Sequence, residues 1–184
     1  EDVAAIVFWT RDARPLFPHL REIGRRGFPF YFQFTLLDYP RSLDPHVPRL
    51  ESALQAFDRL AGEFGPDAVN WRYDPIVLTT LTPEEHHVRT VERLAARLEG
   101  KTRRAVVSFV DLYRKTVRNL SAAAARAGFR FEDPPLERRR PLVLRLAEIV
   151  AARGMRLEVC CEDALAGAAV AKAHCVGLEQ LRAV

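Results

Sequence analysis

Short apolar runs alternate with helical periods along most of the chain. Ala4-Ala5-Ile6-Val7-Phe8-Trp9 is continuously apolar, the pattern of a strand buried on both faces, and it stops at Thr10-Arg11-Asp12. Phe30-Tyr31-Phe32-Gln33-Phe34-Thr35 is a second such run, broken only by Gln33. After a Pro-rich connection, Leu50, Ala53, Leu54, Phe57, Leu60, Ala61 and Phe64 mark one helical face, which Gly65-Pro66 ends. Ala68 to Tyr73 predicts a third, more polar strand that stops at Asp74-Pro75.

The alternation continues. Thr82-Pro83-Glu84-Glu85 carries a helix-start signature in which Thr82 caps and Glu85 closes a capping box. Val88, Val91, Leu94, Ala95 and Leu98 prolong that face to Gly100. Ala105 to Val110 predicts a fourth strand ending at Asp111, followed by a helix from Tyr113 to Ala127. Phe129 to Arg140 reads as a charged link, Pro141 to Arg153 as a further helix, and Arg156 to Cys161 as a fifth strand. A sixth strand is expected at Ala173-His174-Cys175-Val176.

Strands alternating with helices imply right-handed crossovers and a parallel sheet. A doubly wound sheet usually carries a Gly-rich phosphate turn, and neither G-x-G-x-x-G nor G-x-x-x-x-G-K occurs. The expected fold is therefore α/β, a single domain over residues 1–184 forming a parallel TIM-like (β/α) barrel, partial with about six strands.

Composition changes this picture little. The chain is 48% hydrophobic and 28% charged, with a net charge of +4, ordinary values for a globular protein. No apolar run approaches the roughly 20 residues of a membrane span, and Glu1-Asp2-Val3 opens no secretory leader. Of the 28 basic residues all but Lys101, Lys115 and Lys172 are Arg. The runs Arg25-Arg26, Arg103-Arg104 and Arg138-Arg139-Arg140 read as solvated surface, and nothing in them is specific for nucleic acid. Three cysteines, two of them adjacent, make a poor disulfide framework, so a reducing cytoplasm is the expected location.

In a parallel barrel the carboxyl ends of the strands converge on one mouth. Here they would bring together Thr10, Arg11 and Asp12; Gln33 and Thr35; Arg72, Tyr73 and Asp74; Ser108 and Asp111; and Glu162, Asp163 and His174. Any one Asp after a strand is most simply a helix cap. Polar groups on every strand are harder to explain that way. Arg72 is the sharpest feature, because a buried guanidinium needs a carboxylate or an anionic ligand, and Asp74 and Asp111 are the partners within reach. Lys115 stands in a first helical turn, where it serves as an acid/base or anion group or is simply exposed. Strand alternation sends Cys160 and Cys161 to opposite faces, so buried strand thiols are favoured over a mixed zinc site with His174 and Cys175, and C-x-x-C spacing is absent. His86 and His87 are adjacent on a helix and read as surface.

Four blocks carry a resemblance: Phe8-Trp9-Thr10-Arg11-Asp12, Tyr31 to Leu36, Trp71-Arg72-Tyr73-Asp74-Pro75-Ile76, and Ser108 to Lys115. In this order they resemble the bacterial DUF1848 family of unknown function, whose members are similar to radical S-adenosylmethionine (SAM) proteins. The resemblance implies SAM and a [4Fe–4S] cluster held by cysteines that follow the segment like Ala173 to Val176, together with a further first strand. This chain contains neither, and no C-x-x-x-C-x-x-C occurs in it, so the chain reads as truncated at both ends relative to the family. On that reading Arg72, Asp74, Asp111 and Lys115 are the catalytic candidates. Thr10, Gln33, Thr35, Ser108 and Tyr73 are the cofactor-binding ones, and no metal ligand is assigned. A divalent-cation barrel enzyme (a lyase, isomerase or phosphodiesterase) using Asp12, Asp74, Asp111, Glu162 and His174 is the alternative. A non-catalytic binding barrel is the third. The substrate, small-molecule or nucleic-acid-derived, is not fixed by these residues.

Overall fold

The computed structural model describes residues 3–184; Glu1 and Asp2, read above for a leader, lie outside the described residues. Six parallel strands form one sheet in sequential order: β1 (Ile6–Thr10), β2 (Phe30–Thr35), β3 (Val69–Ile76), β4 (Arg104–Phe109), β5 (Arg156–Val159) and β6 (Ala171–Lys172). The connecting helices are α1 (Phe17–Arg25), α2 (Leu50–Phe64), α3 (Glu84–Leu98), α4 (Arg114–Ala127) and α5 (Leu136–Ala151), and the short α6 (Leu178–Leu181) follows β6. The strand order never reverses, so the switch point of a doubly wound sheet is absent among the described strands. Nor do the strands close into a barrel. Among the described residues β1 pairs only with β2 and β6 only with β5.

Strand alternation divides the side chains into two unequal faces. Phe32 and Phe34, Trp71 and Tyr73, Ala105 and Val107, and Leu157 and Val159 enter one large apolar cluster with α2, α3 and α5. Right-handed crossovers in sequential order would place every helix on this face. The apolar stripe of α2 supplies Leu54, Phe57 and Leu60 to it, and the Phe57 ring meets Phe34 edge-on at 5.5 Å. Burying such a Phe contributes about 1.5–3 kcal/mol. The turn after α2 needs Gly65, whose φ of 87° and ψ of 167° are open to almost no other residue.

The opposite face carries Tyr31, Gln33, Asn70, Arg72, Val106, Glu158 and Cys160, all buried. The segment after β6 covers part of it. The Gly177 amide donates to the Tyr31 hydroxyl at 3.1 Å, and the Asn70 and Gln180 side-chain amides bond reciprocally at 2.7 and 2.8 Å. Val106, Cys160 and Ala173 form a small apolar cluster there.

Several local expectations are corrected. The third strand runs on past Asp74-Pro75 to Ile76, with its register against β4 shifting between Tyr73 and Ile76. Thr82 does not cap α3, because its hydroxyl donates to the Val77 carbonyl at 2.8 Å and Pro83 takes the cap position. The last long helix starts at Leu136, with Pro141 inside it, and its first turn is anchored by arginines: Arg138 bonds Glu84 and Glu132, and Arg139 bonds Glu162 and Asp133. That Arg run is thus an ion-paired brace, not bare surface. The sixth strand falls at Ala171–Lys172, two residues before the stretch expected. Finally, His87 is fully buried.

Candidate functional site

Arg72 lies on β3 on the polar face, opposite Thr35 of β2 and Val106 of β4. It is 8% exposed. Its Nε donates to Asp74 Oδ2 at 2.8 Å, and Nη2 bonds the same oxygen. The other oxygen, Oδ1, accepts from the Ser108 hydroxyl of β4. Burial works against the Arg72 charge, but the carboxylate beside it prevails and its pKa is raised. The Cys160 thiol acts in the same direction. One row at the carboxyl ends of β3, β4 and β5 therefore reads Asp74, Ser108, Cys160, with Arg72 beneath it.

All three thiols converge at this end of the sheet. Cys160 still pairs through its amide with the Val107 carbonyl at 2.9 Å, but Cys161 leaves the strand with φ 59°. That left-handed turn brings its Sγ to 3.7 Å from the Cys160 Sγ, where regular alternation would have set them on opposite faces. Cys175, on the segment after β6, lies near enough for the Cys160 thiol to act on it. Cys161 and Cys175 are exposed, Cys160 is buried, and none is in a disulfide. The Cys160 thiol pushes the pKa of both neighbours up, and Asp111 adds to the effect at Cys161. Among the described residues no group of three or more His, Cys, Asp or Glu side chains could hold a metal ion.

Gln33 is the remaining unusual member of this face. It is 2% exposed, its Nε2 reaches the Cys175 carbonyl at 3.4 Å, and its Oε1 has no partner. A cavity of about 420 Å³, lined by Arg104, Arg156, Glu158, Lys172 and His174, opens on the same face towards the strand starts. A larger one, about 650 Å³, lies between Leu78–Thr80 and Arg130–Glu132 and touches none of the candidate residues.

Of the predicted site residues, the fold brings together Arg72, Asp74 and Ser108, with Thr35 and Gln33 alongside. The others are elsewhere. Tyr73 points to the helical side, where its hydroxyl meets His87 Nδ1 at 2.9 Å, and burial raises its pKa. Thr10 closes a local turn, accepting from the Asp12 amide at 2.9 Å. Asp12 is bound to Arg14, whose hydrogen bond holds its carboxyl below the usual range. Glu162 is engaged by Arg139 at 2.9 Å. Asp111 and Lys115 are exposed, the first on the thiol side of the site and the second on the first turn of α4.

The convergence of the thiols was not expected from alternation, and no signal in Cys160-Cys161 announces a left-handed residue. Burial of His87 was also missed, although its four- and seven-residue spacing to Val91 and to Leu94 places it on the apolar stripe. Burial lowers its pKa to about 4.

A family model described as a domain of unknown function (DUF1848) matches the chain over residues 1–184. No curated protein matches it.

Proposed function

The chain belongs to the DUF1848 family, a domain of unknown function, and we propose that it is the core of a barrel-like enzyme that seats an anionic ligand against Arg72. One observation carries the reading. A buried guanidinium is held by a carboxylate that is itself held by a hydroxyl, the last two at the carboxyl ends of adjacent parallel strands and Arg72 just beneath them. In open α/β sheets and in barrels alike, ligands gather at those ends. Asp74 occupies Nε and one Nη2 donor of Arg72, and the rest of the planar fork suits a carboxylate or phosphate. Because Asp74 and Ser108 fix its direction, Arg72 needs little reorganisation when a ligand arrives.

Sequential strand order with one helical face is also the topology from which a barrel would be wound, which supports the barrel-like reading. The finer reading, a radical-SAM-like enzyme, fits in part. The carboxylate of SAM is an anion of the kind Arg72 would hold. A [4Fe–4S] cluster does not fit these residues: the C-x-x-x-C-x-x-C pattern is missing. In a cubane each cysteine ligates a different iron, so two thiols 3.7 Å apart stand too close for that role. The divalent-cation alternative finds Asp12, Asp74 and Glu162 already engaged by Arg14, Arg72 and Arg139.

The test uses SAM and inorganic pyrophosphate as anionic probes in equilibrium dialysis. The wild type is compared with Arg72→Gln/Asp74→Asn, which removes both charges and leaves no lone one buried. Binding of one probe, weakened about tenfold or more in the folded double variant, is expected. A wild type that binds neither, or a double variant that binds as well, overturns the proposal.

A further inference from the structure

The adjacent thiols where β5 ends are reactive groups that the Arg72 clamp leaves unused. We propose that Cys160 and Cys161 form a reversible redox site, which exchanges two electrons with low-molecular-weight disulfides of the glutathione type and closes into a disulfide between neighbouring residues. The proposal rests on this pair and does not depend on the anion reading.

Regular strand alternation would send the two side chains to opposite faces. Instead Cys161 adopts φ 59°, and its Sγ stands 3.7 Å from the Cys160 Sγ in an S–H···S contact. The reversal is fixed from both sides. Before it, the Cys160 amide donates to the Val107 carbonyl of β4 at 2.9 Å. After it, the Glu162 carboxylate accepts from Arg139 Nη1 at 2.9 Å, and the Glu162 carbonyl accepts from the Leu165 amide at 2.8 Å. A residue kept in the left-handed region between anchored neighbours holds the sulfurs together before any oxidant arrives. The two thiols differ in access, since Cys161 is exposed and Cys160 is buried, and neither is in a disulfide.

That difference assigns their roles. The Cys161 thiolate attacks one sulfur of the small disulfide, forms a mixed disulfide and expels one thiolate. The Cys160 thiolate then attacks the Cys161 sulfur and expels the second. Two protein thiols are oxidised to one disulfide, the small disulfide is reduced to two thiols, and the two protons given up by the protein end on the leaving thiolates. The Cys160 thiol raises the pKa of Cys161, so the first attack quickens as pH rises above neutral. Adjacent Cα atoms are about 3.8 Å apart, closer than the roughly 4.4–6.8 Å of ordinary disulfides. The ring is therefore strained and is reopened by excess small thiol, which makes the exchange reversible.

The experiment incubates the reduced chain with excess glutathione disulfide in mildly alkaline buffer, quenches with acid and maps the thiols by tryptic digestion and mass spectrometry. Cleavage after Arg156 and Lys172 places Cys160 and Cys161 together in the peptide Leu157–Lys172 and leaves Cys175 in another. That peptide should lose two hydrogens with nothing attached to it, and should regain them in excess reduced glutathione. Cys160→Ala should stop at a glutathione adduct on Cys161, and Cys161→Ser should block ring closure. Cys175→Ser should oxidise at the wild-type rate. A wild-type Leu157–Lys172 peptide that keeps both thiols, stops at the glutathione adduct or becomes linked to the Cys175 peptide overturns the proposal. So does a Cys175→Ser protein that no longer closes the ring.

Discussion

Asp74→Ala separates the two roles of the Arg72 pair, because it leaves a buried guanidinium with no counter-charge. The side chains of Arg72 and Asp74 are 10% and 16% exposed. Removing one partner of a buried pair costs about 3–5 kcal/mol, and the residual exposure of Asp74 puts this case near the lower end. The Ser108 hydroxyl loses its charged acceptor in the same step, a contribution of about 1 kcal/mol where water can replace it. The sum, about 3–4 kcal/mol, lowers the melting temperature by roughly 6–15 °C for a chain of this size.

Replacing both charges by apolar groups of similar volume, Arg72→Met/Asp74→Leu, should cost only about 1–2 kcal/mol, since neither charge then remains buried alone. Urea unfolding followed by tryptophan fluorescence measures these two variants and the single Arg72→Met and Asp74→Leu that close the cycle, because Trp71 is fully buried next to Arg72 in β3. The double-mutant cycle should return a coupling of about 3 kcal/mol. A cost below about 1 kcal/mol for Asp74→Ala, or a double variant as unstable as the two single ones added together, would show that water already screens the pair. Arg72 would then be no preset anchor.

Stability should also fall with acid in a window set by His87. Its folded pKa of about 4 lies below the unfolded value of about 6.5, so the unfolded chain binds the extra proton. The contribution is complete above pH 6.5, is lost as pH drops towards 4, and amounts to about 3 kcal/mol over that span. Urea midpoints between pH 7 and 4 should show this slope and lose most of it in His87→Asn; a wild-type midpoint flat over the range would refute it. On the opposite face, Asn70→Leu strands the buried Gln180 Oε1, while Nε2 keeps the Asp67 carbonyl, at a cost of about 1–3 kcal/mol. Faster hydrogen exchange at the Gly177 and Leu181 amides is the expected signature, and unchanged exchange there would mean that the amide pair does not hold the segment.

The helical half of this fold was legible because its code is one-sided. Leu54, Phe57 and Leu60 repeat at helical spacing with exposed Gln55 and Arg59 between them, so both the period and the buried face can be read from the chain. Strands buried on both faces carry no such contrast. Phe30 to Phe34 announces a strand, but only the packed structure shows that Phe32 and Phe34 meet helices while Tyr31 and Gln33 face the polar side. Tyr73 was assigned to the site for that reason. It sits between Arg72 and Asp74, and alternation alone says that it differs from them without saying which group faces the ligand. The start of α5 was misplaced for a different reason. Pro141 costs the helix one amide donor, yet Arg138 and Arg139 hold the turn before it through carboxylates that are distant in sequence, and tertiary ion pairs override the local signal.

The same asymmetry explains why one part of the site was foreseen and another was not. Arg72 and Asp74 lie two residues apart on one strand, so their pairing follows from the pleat alone, and the sequence suffices to propose it. The Cys160 and Cys161 thiols meet through a single left-handed residue, and Cys175 comes near them from a separate segment. Neither is encoded in residue type, since cysteine has no preference for φ near +60°. What holds Cys161 there must be the surroundings: the Cys160 amide still tied to β4, and Leu165 buried a few residues on in the large apolar core. A backbone conformation imposed from both sides on a residue that resists it is the place where sequence reasoning should fail and where function is most often found.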